Sequence, residues 1–153
     1  MNQLSAARNG ILNILDTTGL AVLATENAGQ PHTSLIAVTS FADGRQLIFA
    51  TYRNTRKYRH LLQNRRVSVL INGCTVRGAG ADGYVVTAVG KVQDIAGSAL
   101  AAMRAAHLQK HPDLATFLQS ADCVLLGVAV EAYQVVRGID DVSWWQIDDL
   151  CPA

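Results

Sequence analysis

Apolar residues Leu4, Ala7, Ile11, Leu12, Ile14 and Leu15 recur at intervals of three and four, the period of one face of an α-helix, with Gly10 as a local weak point. The period then changes. Residues 19–26, 32–41 and 46–51 are strand-forming runs separated by the turn sequences Asn27-Ala28-Gly29-Gln30 and Asp43-Gly44, which predicts an antiparallel meander. In the first of these strands Leu20, Val22 and Ala24 fall on one face and Ala21, Leu23 and Thr25 on the other. Neither face is obliged to meet water, as in a closed or half-closed barrel.

Residues 55–64 read as a short helix with Tyr58, Leu61 and Leu62 on one side and Asn54 or Thr55 as its N-cap. Residues 66–72 return to strand, 73–83 carry four glycines and read as a loop, and 84–95 form a long strand in which Gly90 marks a bend or bulge. Ser98 is expected to cap a helix whose apolar face is Ala99, Ala102, Met103 and Ala106; Pro112 suits the first turn of another bearing Leu114, Phe117, Leu118 and Ala121. Residues 123–136 are the last long strand, and 142–147 add a short one. Short strands interrupted by helices that are not βαβ crossovers argue for a small β-barrel with peripheral helices.

The 153 residues match one domain of roughly 150 residues, so residues 1–153 are expected to form a single domain. Half of them are hydrophobic and 16% are charged, which excludes a disordered chain. The net charge of +1 gives the whole molecule no strong pull toward nucleic acid or anionic lipid. Cys74, Cys123 and Cys151 form no CxxC pair and are odd in number; with neither a signal-peptide pattern nor a membrane-length apolar run, a cytoplasmic location is expected.

Charge is concentrated locally. Arg45, Arg53, Arg56, Lys57, Arg59, Arg65, Arg66 and Arg77 occupy a stretch that contains no Asp or Glu. Within it, Thr51-Tyr52-Arg53-Asn54-Thr55-Arg56-Lys57 passes from a strand end into a helix start, where unpaired N–H groups and the helix dipole favour an anion. Hydroxyls at Thr51 and Thr55, the guanidinium fork of Arg56 and the point charge of Lys57 suit a terminal phosphate dianion. A solvated basic helix face is the plain alternative. A single-stranded nucleic-acid groove would interleave more aromatics than Tyr52 and Tyr58.

Four pieces in order, Val22-Leu23-Ala24-Thr25, Gly29-Gln30-Pro31-His32-Thr33-Ser34, Leu47-Ile48-Phe49-Ala50-Thr51, and Thr55-Arg56-Lys57 through Asn64-Arg65-Arg66-Val67-Ser68-Val69, resemble the pyridoxamine 5'-phosphate oxidase-like FMN-binding split barrels over about residues 18–95. The resemblance implies a six-stranded Greek-key split barrel and a homodimer with FMN at two equivalent interface sites. It also implies that Thr55, Arg56 and Lys57 hold the phosphate, that Ala50 and Thr51 lie near the ribityl chain or phosphate, and that Leu35, Ile36, Ala37 and Val38 run beside the isoalloxazine. Trp144 and Trp145 could cover the ring from a partner subunit or anchor the C-terminal segment.

The chain departs from the oxidase proper. Its end, Trp145-Gln146-Ile147-Asp148-Asp149-Leu150-Cys151-Pro152, is similar to that enzyme's W-x-I-x-R-L-x-P pattern, but Asp149 stands in the arginine's place. Arg137-Gly138-Ile139-Asp140-Asp141 lacks the paired arginines, which argues against oxidation of pyridoxamine phosphate itself. His107 and His111, four apart, lack a third metal ligand nearby and are expected on a solvated helix face; His32 follows a turn and could face a flavin or bond backbone. No metal site and no nucleophile are expected. The expected function is an FMN-dependent oxidoreductase of unknown substrate, with a small-molecule electron donor and acceptor. The alternatives are a non-catalytic flavin carrier or redox sensor, or a deazaflavin- or haem-handling member of the same fold.

Overall fold

The computed structural model describes residues 2–74 and 84–152. Most of the expected glycine loop, including Arg77, lies outside the described residues. In chain order the elements are α1 (Gln3–Thr17), β1 (Leu20–Asn27), β2 (Gln30–Ala37), β3 (Thr39–Phe41), β4 (Gln46–Tyr52), α2 (Arg56–Gln63), β5 (Arg66–Asn72), β6 (Val85–Asp94) and α3 (Ser98–Lys110). A 3₁₀ turn at Pro112–Leu114, α4 (Ala115–Gln119), β7 (Cys123–Gly138), β8 (Asp141–Gln146) and α5 (Ile147–Leu150) complete them.

All strand pairs are antiparallel, in the order β2-β1-β5-β6-β7-β4-β3, with β8 beside the second half of β7. The two ends of this sheet, β2 and β3, are successive parts of one extended run interrupted at Val38. A single stretch of chain thus joins both edges, and the sheet must curl into a barrel. Eight strand segments replace the six implied by the resemblance because that run divides between two neighbours and the short C-terminal strand forms.

The barrel interior is filled by alternate strand residues, including Leu23, Leu47, Phe49, Val69, Ile71, Val86 and Leu126, all fully buried. Helix α1 closes one end with Ala7, Ile11, Ile14 and Leu15, and Lys110 fixes its last turn by donating to the carbonyls of Leu15 (2.7 Å) and Thr18 (2.9 Å). A second cluster, Ile48, Met103, Leu118 and Leu125, packs α3 and α4 against the outer side of β4 and β7. The β6–β7 register shifts between Val89 and Gly90. A Cβ on Gly90 would come within 2.1 Å of the Ala129 carbonyl oxygen, so the bulge admits only glycine.

Two sequence expectations change in α3. Its N-cap is Gly97 at φ 68°, with no side-chain cap, and Ser98 is the first helical residue. Its buried residues are Met103 and His107, while Ala99 and Ala102 are exposed. Met103 is inward as expected, but alanine methyls offer little area to bury, and the helix turns Leu100 and His107 inward beside it in place of Ala99 and Ala102. Among the described residues no helix is long and apolar enough to cross a membrane.

Candidate functional site

Helix α2 is fixed at both ends. Thr55 is its N-cap: the Tyr58 N–H donates to Thr55 Oγ1 at 3.3 Å, while Thr51 and Thr55 join their hydroxyls at 2.9 Å. Both hydroxyls also reach the Tyr52 carbonyl, at 3.2 and 2.9 Å. At the other end Asn64 Nδ2 donates to Glu26 Oε2 at 2.7 Å, and Glu26 Oε1 accepts from the Gly29 N–H in the β1–β2 turn. Leu61 enters the core, and His60 Nδ1 lies 3.0 Å from Thr25 Oγ1. The start of α2 is therefore a rigid platform at the end of β4.

The two threonine hydroxyls, expected as phosphate donors, are spent on this turn. What the platform offers an anion is Arg56 and Lys57. Among the described members of the basic cluster, Arg45, Arg65 and Arg66 pair with Asp148, Asp94 and Glu131. Arg53 and Arg59 donate to the carbonyls of Ala121 and Asn54. Arg56 and Lys57 have neither a carboxylate nor a carbonyl partner among the described residues. Partial burial pulls the Lys57 ammonium below its usual range. The His32 ring is likewise held below its ordinary value, first by loss of solvent and then by Arg56, His60 and Lys57. Uncompensated positive potential converges on this corner.

Beside it lies a cavity of about 250 Å³ lined by Leu35, Ile36, Ala37, Ala50, Thr51, Tyr52, Thr55, Lys57, His107, Leu114 and Phe117. It occupies the seam between β2 and β4, with α2 on one side and α3–α4 on another. Seven residues singled out from sequence line it: Leu35, Ile36, Ala37, Ala50, Thr51, Thr55 and Lys57. Arg56 stands exposed at the helix start next to it. Val38 does not line it; its side chain is core, its N–H donates to the Gly19 carbonyl, and its carbonyl lies 2.9 Å from His111 Nε2. Trp144 is half exposed on the outer face of β8, whereas Trp145 turns inward against the core and donates Nε1–H to Ser143 Oγ at 3.0 Å.

The wall from α3 and α4 was not read as part of the site. Tyr52 and Phe117 meet edge to face with ring centroids 4.7 Å apart. His107, expected to be solvated, is fully buried, with Nδ1 2.8 Å from Thr39 Oγ1 and its ring centroid 4.9 Å from that of His111. Burial, aided by His111 and Lys110, lowers its pKa to about 4, so it is neutral at pH 7. The signal for it was spacing, since His107 stands four residues after Met103 and seven before Leu114.

A larger cavity of about 600 Å³, lined in part by Arg8, Asp43, Arg45 and Asp149, lies at the C-terminal segment. Its guanidinium groups already face carboxylates, in the Arg8–Asp43 pair at 3.4 Å and the Arg45–Asp148 pair at 3.3 Å. It is the poorer anion site.

Residues 10–137 match the family model described as pyridoxamine 5'-phosphate oxidase. No protein of curated function matches the sequence. Among solved structures, a haem binding protein from Mycobacterium smegmatis superposes with a TM-score of 0.85 at 20% identity over 95% of this chain, which spans 60% of that protein's length. A putative pyridoxamine 5'-phosphate oxidase from Listeria innocua gives 0.67 at 17% identity, covering 86% of this chain and 99% of that one. HutZ, the haem storage protein from Vibrio cholerae, gives 0.69 at 17%, covering 80% and 89%. At these identities the likeness is one of fold.

Proposed function

We infer that this chain, which belongs to the pyridoxamine 5'-phosphate oxidase family, binds FMN with the phosphate at the start of α2 and works as an FMN-dependent oxidoreductase. The observation that carries the reading is the pair of cations, Arg56 and Lys57, unpartnered among the described residues, on a helix start beside a mostly apolar cavity. A phosphate dianion takes charge-assisted hydrogen bonds from both side chains and from the N–H groups of the first helical turn. The ring system meets Leu35, Ile36, Ala37, Ala50, Leu114 and Phe117. Bound FMN supplies hydride and single-electron transfer. The chain's own part is to hold the phosphate, orient the ring and keep water from it.

A cavity of about 250 Å³ is smaller than the roughly 300–1,000 Å³ usual for a ligand of this size. A second copy completes it. Leu35, 64% exposed, lines the cavity and also begins a cross-strand row on the outer face of the barrel, Leu35, Val22, Leu70, Thr87, Gln134 and Trp144. A homodimer joined over this face buries the apolar part of the row and gives the partner subunit's Trp144 access to the cavity mouth.

The test is a spectral titration. FMN is expected to bind stoichiometrically with a perturbed visible band, and a reduced nicotinamide donor to bleach it until an acceptor restores the colour. Persistent yellow colour with donor present would leave a carrier or sensor. Uptake of haem in place of FMN, seen as a Soret band, would support the haem-handling alternative suggested by the fold of the mycobacterial and Vibrio proteins.

A further inference from the structure

His32 stands on β2 directly across from Thr25 of β1, and its ring meets that of His60 edge to face, with centroids 5.4 Å apart. His60 is buried and its Nδ1 lies 3.0 Å from Thr25 Oγ1, so the ring that His32 leans on is fixed by α2 and β1 together. Residues three and four apart share one face of a helix, and Lys57 and Arg56 precede His60 by those intervals. The His32 imidazole therefore belongs to the same corner as the two cations assigned to the phosphate. The groups around it are Arg56, Lys57 and His60 from α2 and, from β1, Thr25 and Glu26, whose carboxylate is taken up by the Gly29 N–H and Asn64 Nδ2. The ring touches His60 and, among the described residues, makes no hydrogen bond.

Loss of solvent, Arg56, His60 and Lys57, in that order, hold the imidazole below its ordinary pKa, so in the empty protein it is mostly uncharged at pH 7. Loss of solvent persists with a ligand in place, so the change on binding comes from the charges. A phosphate dianion offsets the charges of Arg56 and Lys57, and charges gathered in one corner act on each other over roughly 8 Å at physiological salt. The imidazolium is then favoured, and linkage makes the effect reciprocal: a protonated ring also favours the bound phosphate.

We propose that His32 takes a proton from solvent when the phosphate of FMN docks on Arg56 and Lys57, so that binding is coupled to proton uptake and His32 serves as a third, pH-dependent cation of the site. The inference rests on the FMN reading above and adds a regulation to it: FMN beside a neutral imidazole at alkaline pH is released more readily than FMN beside a charged one. Riboflavin, which brings no dianion, draws no proton.

The experiment follows the assigned His32 ring protons of the full chain by NMR from about pH 5.5 to about pH 8.5, free and saturated with FMN or riboflavin. The titration midpoint is expected to move upward with FMN and to stay in place with riboflavin. In calorimetry, wild-type affinity for FMN is expected to gain about threefold relative to His32→Asn between about pH 7.5 and about pH 6.5, protonation of the FMN phosphate itself being common to both proteins. The NMR arm needs only the wild type and serves if the variant fails to fold. A midpoint that FMN leaves in place or lowers, an equal shift with riboflavin, or a His32→Asn protein whose affinity follows pH as the wild type's does would overturn the inference while leaving the FMN reading intact. A wild-type protein that takes up no FMN removes both.

Discussion

Among the described residues nothing uses the charges of Arg56 and Lys57, whereas the cations around them are each committed to a carboxylate or a carbonyl. Each charge-assisted hydrogen bond to phosphate is worth about 1.5–3 kcal/mol. The double variant Arg56→Ala, Lys57→Ala is therefore expected to lose at least about 100-fold in FMN affinity, while riboflavin, which lacks the phosphate, binds variant and wild type alike; equal loss for both ligands in calorimetry would contradict the assignment. His107 carries a second residue-scale prediction. Its pKa is depressed in the folded state, so the unfolded chain takes up the proton first as pH falls. Its contribution is whole above about pH 6.5 and declines toward pH 4, by up to about 3 kcal/mol. Urea denaturation at a series of pH values should show that slope in the wild type and a shallower one in His107→Phe. The sequence marked Arg56 and Lys57 at a helix start within a cluster of eight cations, but which of these lack a partner depends on the fold. Nor could the sequence show that Thr51 and Thr55 spend their hydroxyls on the turn, because that depends on the close approach of a strand end to the helix it feeds.

At the scale of elements, periodicity located each major helix and strand, and the errors came where two alternatives differ only in what packs against them. The run 32–41 alternates as one strand, yet it splits at Val38 because its halves pair with β1 and β4 at opposite ends of the sheet. In α3 Met103 belongs equally to a stripe with Ala99, Ala102 and Ala106 and to one with Leu100 and His107, and the larger side chains win the core. That choice hid His107 and, with it, the whole α3–α4 wall of the cavity. The bulge at Gly90 was legible because glycine inside a strand pattern has few other uses. Gly90→Ala would press a methyl against the backbone of Ala129, so a loss of about 2–3 kcal/mol is expected. Chemical denaturation reads this directly, and a neutral substitution would show that the β6–β7 bulge can relax.

For the molecule as a whole, the first strand already showed that both faces of β1 are apolar, and the structure accounts for one of them. Ala21 and Leu23 fill the barrel, while Leu20 remains 56% exposed beside Leu35 and Leu70 on the outside. On the reading proposed above a second copy covers this apolar face, and a stable homodimer typically buries about 800 Å² from each copy. Sedimentation should therefore give a dimer of about twice 16.4 kDa. Leu35→Glu with Leu70→Glu should yield a folded monomer with weakened FMN binding; a monomeric wild type would refute the shared site. The chain's end remains apart from this arrangement, since Asp148 pairs with Arg45 and Asp149 lines the separate cavity. The most direct measurement of the central claim is a crystal structure of the protein with FMN. The phosphate oxygens are expected within hydrogen-bonding distance of the Arg56 guanidinium and the Lys57 ammonium; FMN bound with its phosphate away from both would contradict the account.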